Sequence, residues 1–327
     1  MHATADAFDQ QATAVHLKKL VASYENLQRF YSEQILASAR RMAEKMTCPM
    51  HPDVVGKSTD MCPKCGMELD QPVRIPLLSS GGGAPALHTV EASVLTETPL
   101  EVGREVTARL RLKHLLYQAP ILITDLRVVH TERIHLLLID SSLTDYHHLH
   151  PQPTRVHGEY AFSFTPRKPG PYRAWTDLRT TSTGFQEYAM ADIPASATEE
   201  ISRSDKKIKL QAQLEGLRYE LILDKQKISV GEPVRMRLLI RNVNGKSFTE
   251  LEPVMGTFAH LVAFNEDNKT VLHLHPKVSK LLAGTERGGP ELEIHLYATE
   301  AGFYRLFAQV QIKGVSKFIP FGLYVGQ

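Results

Sequence analysis

The chain of 327 residues is short of cysteine. It has three, Cys48, Cys62 and Cys65, all in one stretch. None is left over for a disulfide elsewhere, which excludes a small disulfide-held scaffold. A strong charge bias is also missing: the formal net charge is +2, so nothing calls for nucleic acid or an anionic membrane surface. No run approaches the roughly 18 apolar residues of a membrane helix, so no membrane span is expected. Residues 1–45 lack the apolar core of a secretory signal. The chain is therefore expected to be either cytoplasmic or a mature exported form. HExxH, a nucleophile elbow and a phosphate loop are absent as well, and no enzyme is expected. The length suits two or three domains.

What cysteine there is sits in Thr47–Pro72, TCPMHPDVVGKSTDMCPKCGMELDQP. The spacing is Cys48-x2-His51, ten residues, then Cys62-x2-Cys65. Each half can turn back onto one ion, and Gly66 relieves the backbone where the second half bends. Four N/S ligands in two pairs suit a tetrahedral site for Zn(II) or for a thiophilic ion such as Cu(I). Met50 and Met67 each sit beside a ligand. Thioethers suit Cu(I) and Ag(I) better than zinc, although methionine also packs small cores.

These residues carry a family resemblance. CPMHP followed by CPKCGM resembles the heavy-metal-binding domain found on copper- and silver-exporting P-type ATPases and on periplasmic adaptor subunits of metal efflux pumps. The resemblance implies a zinc-ribbon-like module with ligation by Cys48, His51, Cys62 and Cys65, copper or silver as the ion, and an extracytoplasmic setting. It covers about 25 residues. The rest of the chain has no Asp-Lys-Thr-Gly-Thr phosphorylation motif, no paired-helix hairpin and no biotinyl-like repeat.

Residues 1–46 contain neither Gly nor Pro. Leu17, Leu20, Val21, Tyr24, Leu27, Tyr31, Ile35 and Leu36 recur at helical spacing, which predicts an amphipathic helix from about Ala12 to Lys45. Its stripe must pack on the rest of the chain, on a second copy to form a homodimer, or on a partner helix. The Pro, Ser and Gly content of 73–85 reads as a flexible linker that lets the metal module move.

The remainder is an internal repeat, expected over 86–195 and 215–327. Thr124–Pro151 aligns without a gap onto Thr249–Pro276 at a shift of 125, with nine of 28 positions identical. Pro169-Gly-Pro-Tyr-Arg173 matches Ala301-Gly-Phe-Tyr-Arg305. Short alternating strands separated by turn residues predict two β-sandwiches, immunoglobulin-like or cupredoxin-like, each with a tyrosine corner at Tyr172 or Tyr304. Trp175 and Phe307 occupy matching positions and are expected in the cores. The fold class is thus mainly β with an N-terminal helix.

Each copy also carries a His-Leu strand, a polar turn and then His-Leu-His-Pro. If the turn pairs residue 140 with 145, then 135 pairs with 150 and 137 with 148, and His135, His148 and His150 converge on one sheet face. His260, His273 and His275 do the same in the second copy. Three imidazoles on one face can hold Cu(II) or Zn(II), or can be hydrogen-bonded residues that fix the hairpin. A register shift of one would separate them. His147 has no counterpart and is expected to be exposed. His130 aligns with Met255. Asp140, Asp145 and Glu266 fall in turns, where solvated charge is the expectation.

Two functions fit. The first is a soft-metal (copper or silver) binding protein of homeostasis or resistance, which captures the ion and passes it to, or docks on, an efflux partner. The second is a β-sandwich adhesion or scaffold protein with a structural zinc knuckle.

Overall fold

The computed structural model describes residues 15–23, 45–73, 89–194, 205–276 and 282–327. Residues 15–23 are helical and exposed. The rest of the expected N-terminal helix, and the expected linker beyond residue 73, lie outside the described residues.

The metal module is a three-stranded antiparallel sheet of two-residue strands, β1 (Met46–Thr47), β2 (Val55–Gly56) and β3 (Gln71–Pro72), in the order β2-β1-β3. So little sheet buries almost nothing. Its core is Cys48, Cys62, Cys65 and Leu69, with Met46, Met50, Val54 and Met67 packed around them.

The first repeat has β4 (Val90–Thr96), β5 (Val106–His114), β6 (Ile134–Asp140), β7 (Tyr146–Leu149), β8 (Gln152–Pro153), β9 (Glu159–Phe164), β10 (Tyr172–Arg179) and β11 (Gln186–Ile193). Sheet β4-β5-β9-β8 faces sheet β11-β10-β6-β7. The second repeat has β12 (Gln211–Leu214), β13 (Leu217–Leu223), β14 (Pro233–Asn242), β15 (His260–Asn265), β16 (Val271–Leu274), β17 (Glu291–Tyr297), β18 (Gly302–Ile312) and β19 (Val315–Val325). Its sheets are β12-β13-β14-β17 and β16-β15-β18-β19. Every named strand pair is antiparallel, and each sandwich has its own core drawn from both of its sheets.

Alternation explains the outer sheets. In β5 and β14 one side is buried and the other is not. The inner sheets break the pattern: every residue of β6 and of β15 is buried. The second face of these sheets is covered by the other repeat. Leu137, Ile139, Leu143, Tyr146 and Trp175 of the first repeat pack with Val262, Phe264, Val271 and Phe307 of the second. Tyr146 stacks on Phe307 with ring centroids 4.9 Å apart. Trp175 and Phe307 therefore belong to the seam between the sandwiches and not to the core of either one.

Both tyrosine corners form. Tyr172 Oη accepts from Lys168 N at 3.2 Å and lies 3.1 Å from Lys168 O, its one proton directed to the Asp145 carboxylate, and Tyr304 Oη donates to Glu300 O at 2.9 Å. Asp140 and Asp145 are buried, contrary to the solvated reading of their turn. Asp140 accepts the backbone N–H groups of Ser142, Thr144 and Asp145, tying the turn together. Asp145 accepts from Arg167 Nε at 2.7 Å and from Arg167 N at 2.6 Å. Burial alone would raise the Asp145 carboxyl; contacts with His147, Tyr172 and Arg167 hold it well below the usual carboxylate range. His147 is largely buried, its Nε2 lying 3.1 Å from Asp145. Glu266 is partly covered and pairs with Lys206.

The two corners should respond unequally. Tyr304→Phe removes one neutral hydrogen bond and is expected to cost about 1 kcal/mol in urea unfolding. Tyr172→Phe also strips a donor from a buried carboxylate and should cost about 2 kcal/mol. Equal losses would show that the Asp145 contact contributes nothing.

Candidate metal centres

The knuckles close as their spacing requires. Cys48 Sγ lies 3.5 Å from Cys65 Sγ and 3.7 Å from His51 Nδ1, and Cys62 Sγ lies 3.5 Å from the same nitrogen. A tetrahedral ion with metal–sulfur bonds near 2.3 Å and metal–nitrogen bonds near 2.0 Å has edges of about 3.5–3.8 Å, so the four atoms fit one. The three cysteines are free thiols, all buried. Local backbone sets the geometry. Gly66, at φ 75°, donates its N–H to Cys62 O at 2.7 Å, and Cys62 N donates to Met67 O at 2.7 Å. Hydrogen bonds from Cys48 and Cys65 pull the Cys62 thiol far below its ordinary range, while the bond shared with Cys62 pushes Cys48 up to about 12. The cluster thus already favours one thiolate. Met50 and Met67 pack against this core.

The module is docked on the sandwiches. Asp70 pairs with the buried Arg179 of β10 at 3.2 Å, and Pro49 O accepts from Gln186 N of β11 at 3.1 Å. On the second repeat, Lys64 Nζ lies 4.2 Å from the centre of the Tyr297 ring, and that ring meets His51 edge-on at 5.2 Å.

The histidine hairpins adopt the expected register. Leu137 pairs with His148 and Leu136 with Leu149; in the second repeat Val262 pairs with His273 and Leu261 with Leu274. Leucines 136 and 149 point into the first core, so His135, His148 and His150 face the seam. His260, His273 and His275 face it from the other side. Each triad brings three ring nitrogens within 4.8 Å of one another. His135 Nδ1 and His148 Nε2 are 3.2 Å apart, as are His260 Nδ1 and His273 Nε2. The triads adjoin: ring centroids of His135 and His273 are 5.3 Å apart, and those of His148 and His260 are 5.9 Å apart.

Residues that the sequence reading did not single out complete the arrangement. His148 Nδ1 bonds Gln309 Oε1 of the other repeat at 2.8 Å, and His273 Nδ1 bonds Asp177 Oδ2 of the other repeat at 2.7 Å. Asp177 and Gln309 are themselves repeat equivalents, two positions beyond Trp175 and Phe307. Their alignment was visible in the sequence, but their reach across the seam was not. His130 of the first repeat stacks on His275 at 3.8 Å, and its Nδ1 is buried without a hydrogen-bond partner.

Residues 88–193 and 212–327 each match a domain of unknown function, DUF8832, so the match spans most of the chain. The chain belongs to the DUF8832 family. Its two DUF8832 domains are the two sandwiches, and β12 opens the second of them. Residues 47–71 match the heavy metal binding domain, which makes the knuckle module a metal-binding one. No curated protein matches the chain. Among solved structures, FdeC, a broadly conserved Escherichia coli adhesin, aligns over 73% of this chain at 14% identity and a TM-score of 0.22. The alignment covers 64% of that structure, and at this score it carries no weight for fold or function.

Burial holds the seam imidazoles neutral. It pulls His130 and His150 down to about 4 and His135 to about 3 from an ordinary 6.5, and it pulls His148, His260, His273 and His275 well below that value. An unfolded chain binds these protons near pH 6.5, so between about 6.5 and 3 the unfolded state holds more of them. Stability is unaffected by these groups above that window and falls as the pH drops into it. Asp177, raised to about 7 by burial, acts in the opposite sense but is one group against seven. The melting temperature of the metal-free chain should therefore fall steadily from pH 7 to pH 5. A flat profile would mean that the seam imidazoles are solvated.

Proposed function

We propose that this protein is a soft-metal carrier of copper or silver homeostasis, working outside the cytoplasm as the resemblance of its knuckles implies. The observation that carries the reading is the convergence of three buried thiols and His51 Nδ1 at 3.5–3.7 Å, with Met50 and Met67 packed against the same cluster. The donor set is soft and already favours a thiolate, which suits Cu(I) or Ag(I). The ion is cargo, and the role is capture and delivery rather than catalysis. The recipient would be an efflux protein that takes the ion by ligand exchange. A homodimer through the N-terminal helix belongs to the same reading.

The docking contacts favour a second reading. Asp70–Arg179, Lys64–Tyr297 and Pro49–Gln186 tie the module to both DUF8832 domains, as a structural zinc clip would. Metal content separates the two. Protein purified without oxygen and offered Cu(I) and Zn(II) together, then desalted, should retain copper in the wild type and lose it in Cys62→Ser. One equivalent of zinc that copper does not displace would overturn the carrier reading and make the knuckles a clip.

A further inference from the structure

We propose that the six seam histidines form one paired metal centre, in which each DUF8832 domain supplies three imidazoles to one ion and the opposite domain orients them. The ions would be borderline divalent cations, Cu(II) or Zn(II), which imidazole suits. This centre is distinct from the knuckle and does not depend on the knuckle's cargo.

The argument rests on where the ring protons must sit. His135 Nε2 lies 3.0 Å from Val129 O, and His260 Nε2 lies 3.1 Å from Val254 O. A carbonyl only accepts, so each Nε2 carries the proton and each Nδ1 presents a lone pair. His273 Nδ1 faces an oxygen of Asp177 that accepts from it when the carboxyl is ionised, the form a bound cation favours, and His148 Nδ1 faces an amide oxygen whose own nitrogen donates to Ser316 Oγ. Both therefore donate from Nδ1 and present lone pairs at Nε2. The two contacts at 3.2 Å are then lone pair against lone pair, with no proton between them. Two imidazole nitrogens sharing a tetrahedral ion at about 2.0 Å are separated by about 3.3 Å. His150 Nε2 and His275 Nε2, buried and without hydrogen-bond partners, supply the third ligands. Three nitrogens leave a coordination position open, the pattern of an exchangeable site.

The turns that fix the tautomers are built into both repeats. Val129–Glu132 and Val254–Thr257 are closed by paired backbone hydrogen bonds. Their central residues, His130 and Thr131 (φ 47° and 71°) and Met255 and Gly256 (φ 50° and 78°), are left-handed, as a type I′ turn requires. The carbonyls that receive the His135 and His260 protons are the first residues of these turns.

Crossed second partners make the test specific. Asp177 lies in the first domain but orients a ligand of the second, and Gln309 does the reverse. Removing such a partner commonly weakens metal binding about 10–100-fold. Full-length protein, its knuckle first filled with diamagnetic Ag(I), would be titrated with Cu(II) and followed by native mass spectrometry and electron paramagnetic resonance. The wild type should bind two Cu(II) ions with a dipole-coupled spectrum. Asp177→Ala should weaken the ion on the second domain's triad about 10–100-fold and spare the other, and Gln309→Ala should do the opposite. His148→Ala/His273→Ala, with unchanged circular dichroism, should bind neither. No Cu(II) uptake by the folded wild type, two magnetically isolated ions, or retention of both by the double variant would each overturn the paired centre. The wild-type spectrum decides the question even if that variant does not fold.

Discussion

A buried nitrogen lone pair with no donor facing it is costly, by roughly 1–3 kcal/mol each, and the seam between the two DUF8832 domains gathers several. His150 Nε2, His275 Nε2 and His130 Nδ1 have no hydrogen-bond partner. Four more nitrogens meet in two contacts of 3.2 Å that share no proton. An interface selected for adhesion alone would fill these positions with the leucine, valine and phenylalanine it uses a few residues away. The seam does so: Leu137, Ile139, Val262 and Phe264 continue the same strand faces as apolar packing. One surface therefore has an apolar part that holds the domains together and a polar part that holds them around something.

The apolar part makes the polar part possible. Imidazoles on one sheet face of a lone sandwich would be wet and free to turn. Covering that face with the second sandwich removes water, locks the rings between strands and lowers their basicity. It also supplies Asp177 and Gln309 from across the seam, which neither domain could provide for itself. The knuckle module is joined to the same structure. Gln186 donates its backbone N–H to Pro49 O and its side-chain amide to Asp177 Oδ1 at 2.6 Å, and Asp177 holds His273. A short chain of hydrogen bonds thus runs from the Cys48–His51 turn to the second triad. The module is docked in this structure, where the linker composition alone suggests free movement.

What the sequence revealed follows the range of the forces involved. Local forces were legible. Cys-x2-His and Cys-x2-Cys fix the knuckles through short turns, and the four-residue turn after Asp140 fixes the hairpin register that brings His135, His148 and His150 together. The tyrosine corners are equally local, each spanning four residues. The duplication was legible because register and turn chemistry must be kept in both copies. Contacts set by packing across the seam were not legible. A large aromatic side chain at matching strand positions looks like ordinary core packing, so Trp175 in β10 and Phe307 in β18 read as core residues. Asp145 reads as a turn charge because nothing nearby in sequence announces Tyr172 or Arg167 as its partners.

The places where the two copies differ are as informative as the places where they agree. Three histidine positions are kept in both, yet the groups behind them are not: a carboxylate supports the second triad and a neutral amide supports the first. At the turn tips, His130 reaches the second triad, and its counterpart is Met255. Two adjacent cations repel each other, and a single carboxylate relieves that repulsion for one more than for the other. The second triad, with Asp177 behind it and His130 beside it, is thus the stronger of two otherwise matched positions. A duplicated domain that only needed to cohere would have no reason to keep the ligands and diverge in their supports. A pair of sites that must fill in order, or hold ions with different grip, would.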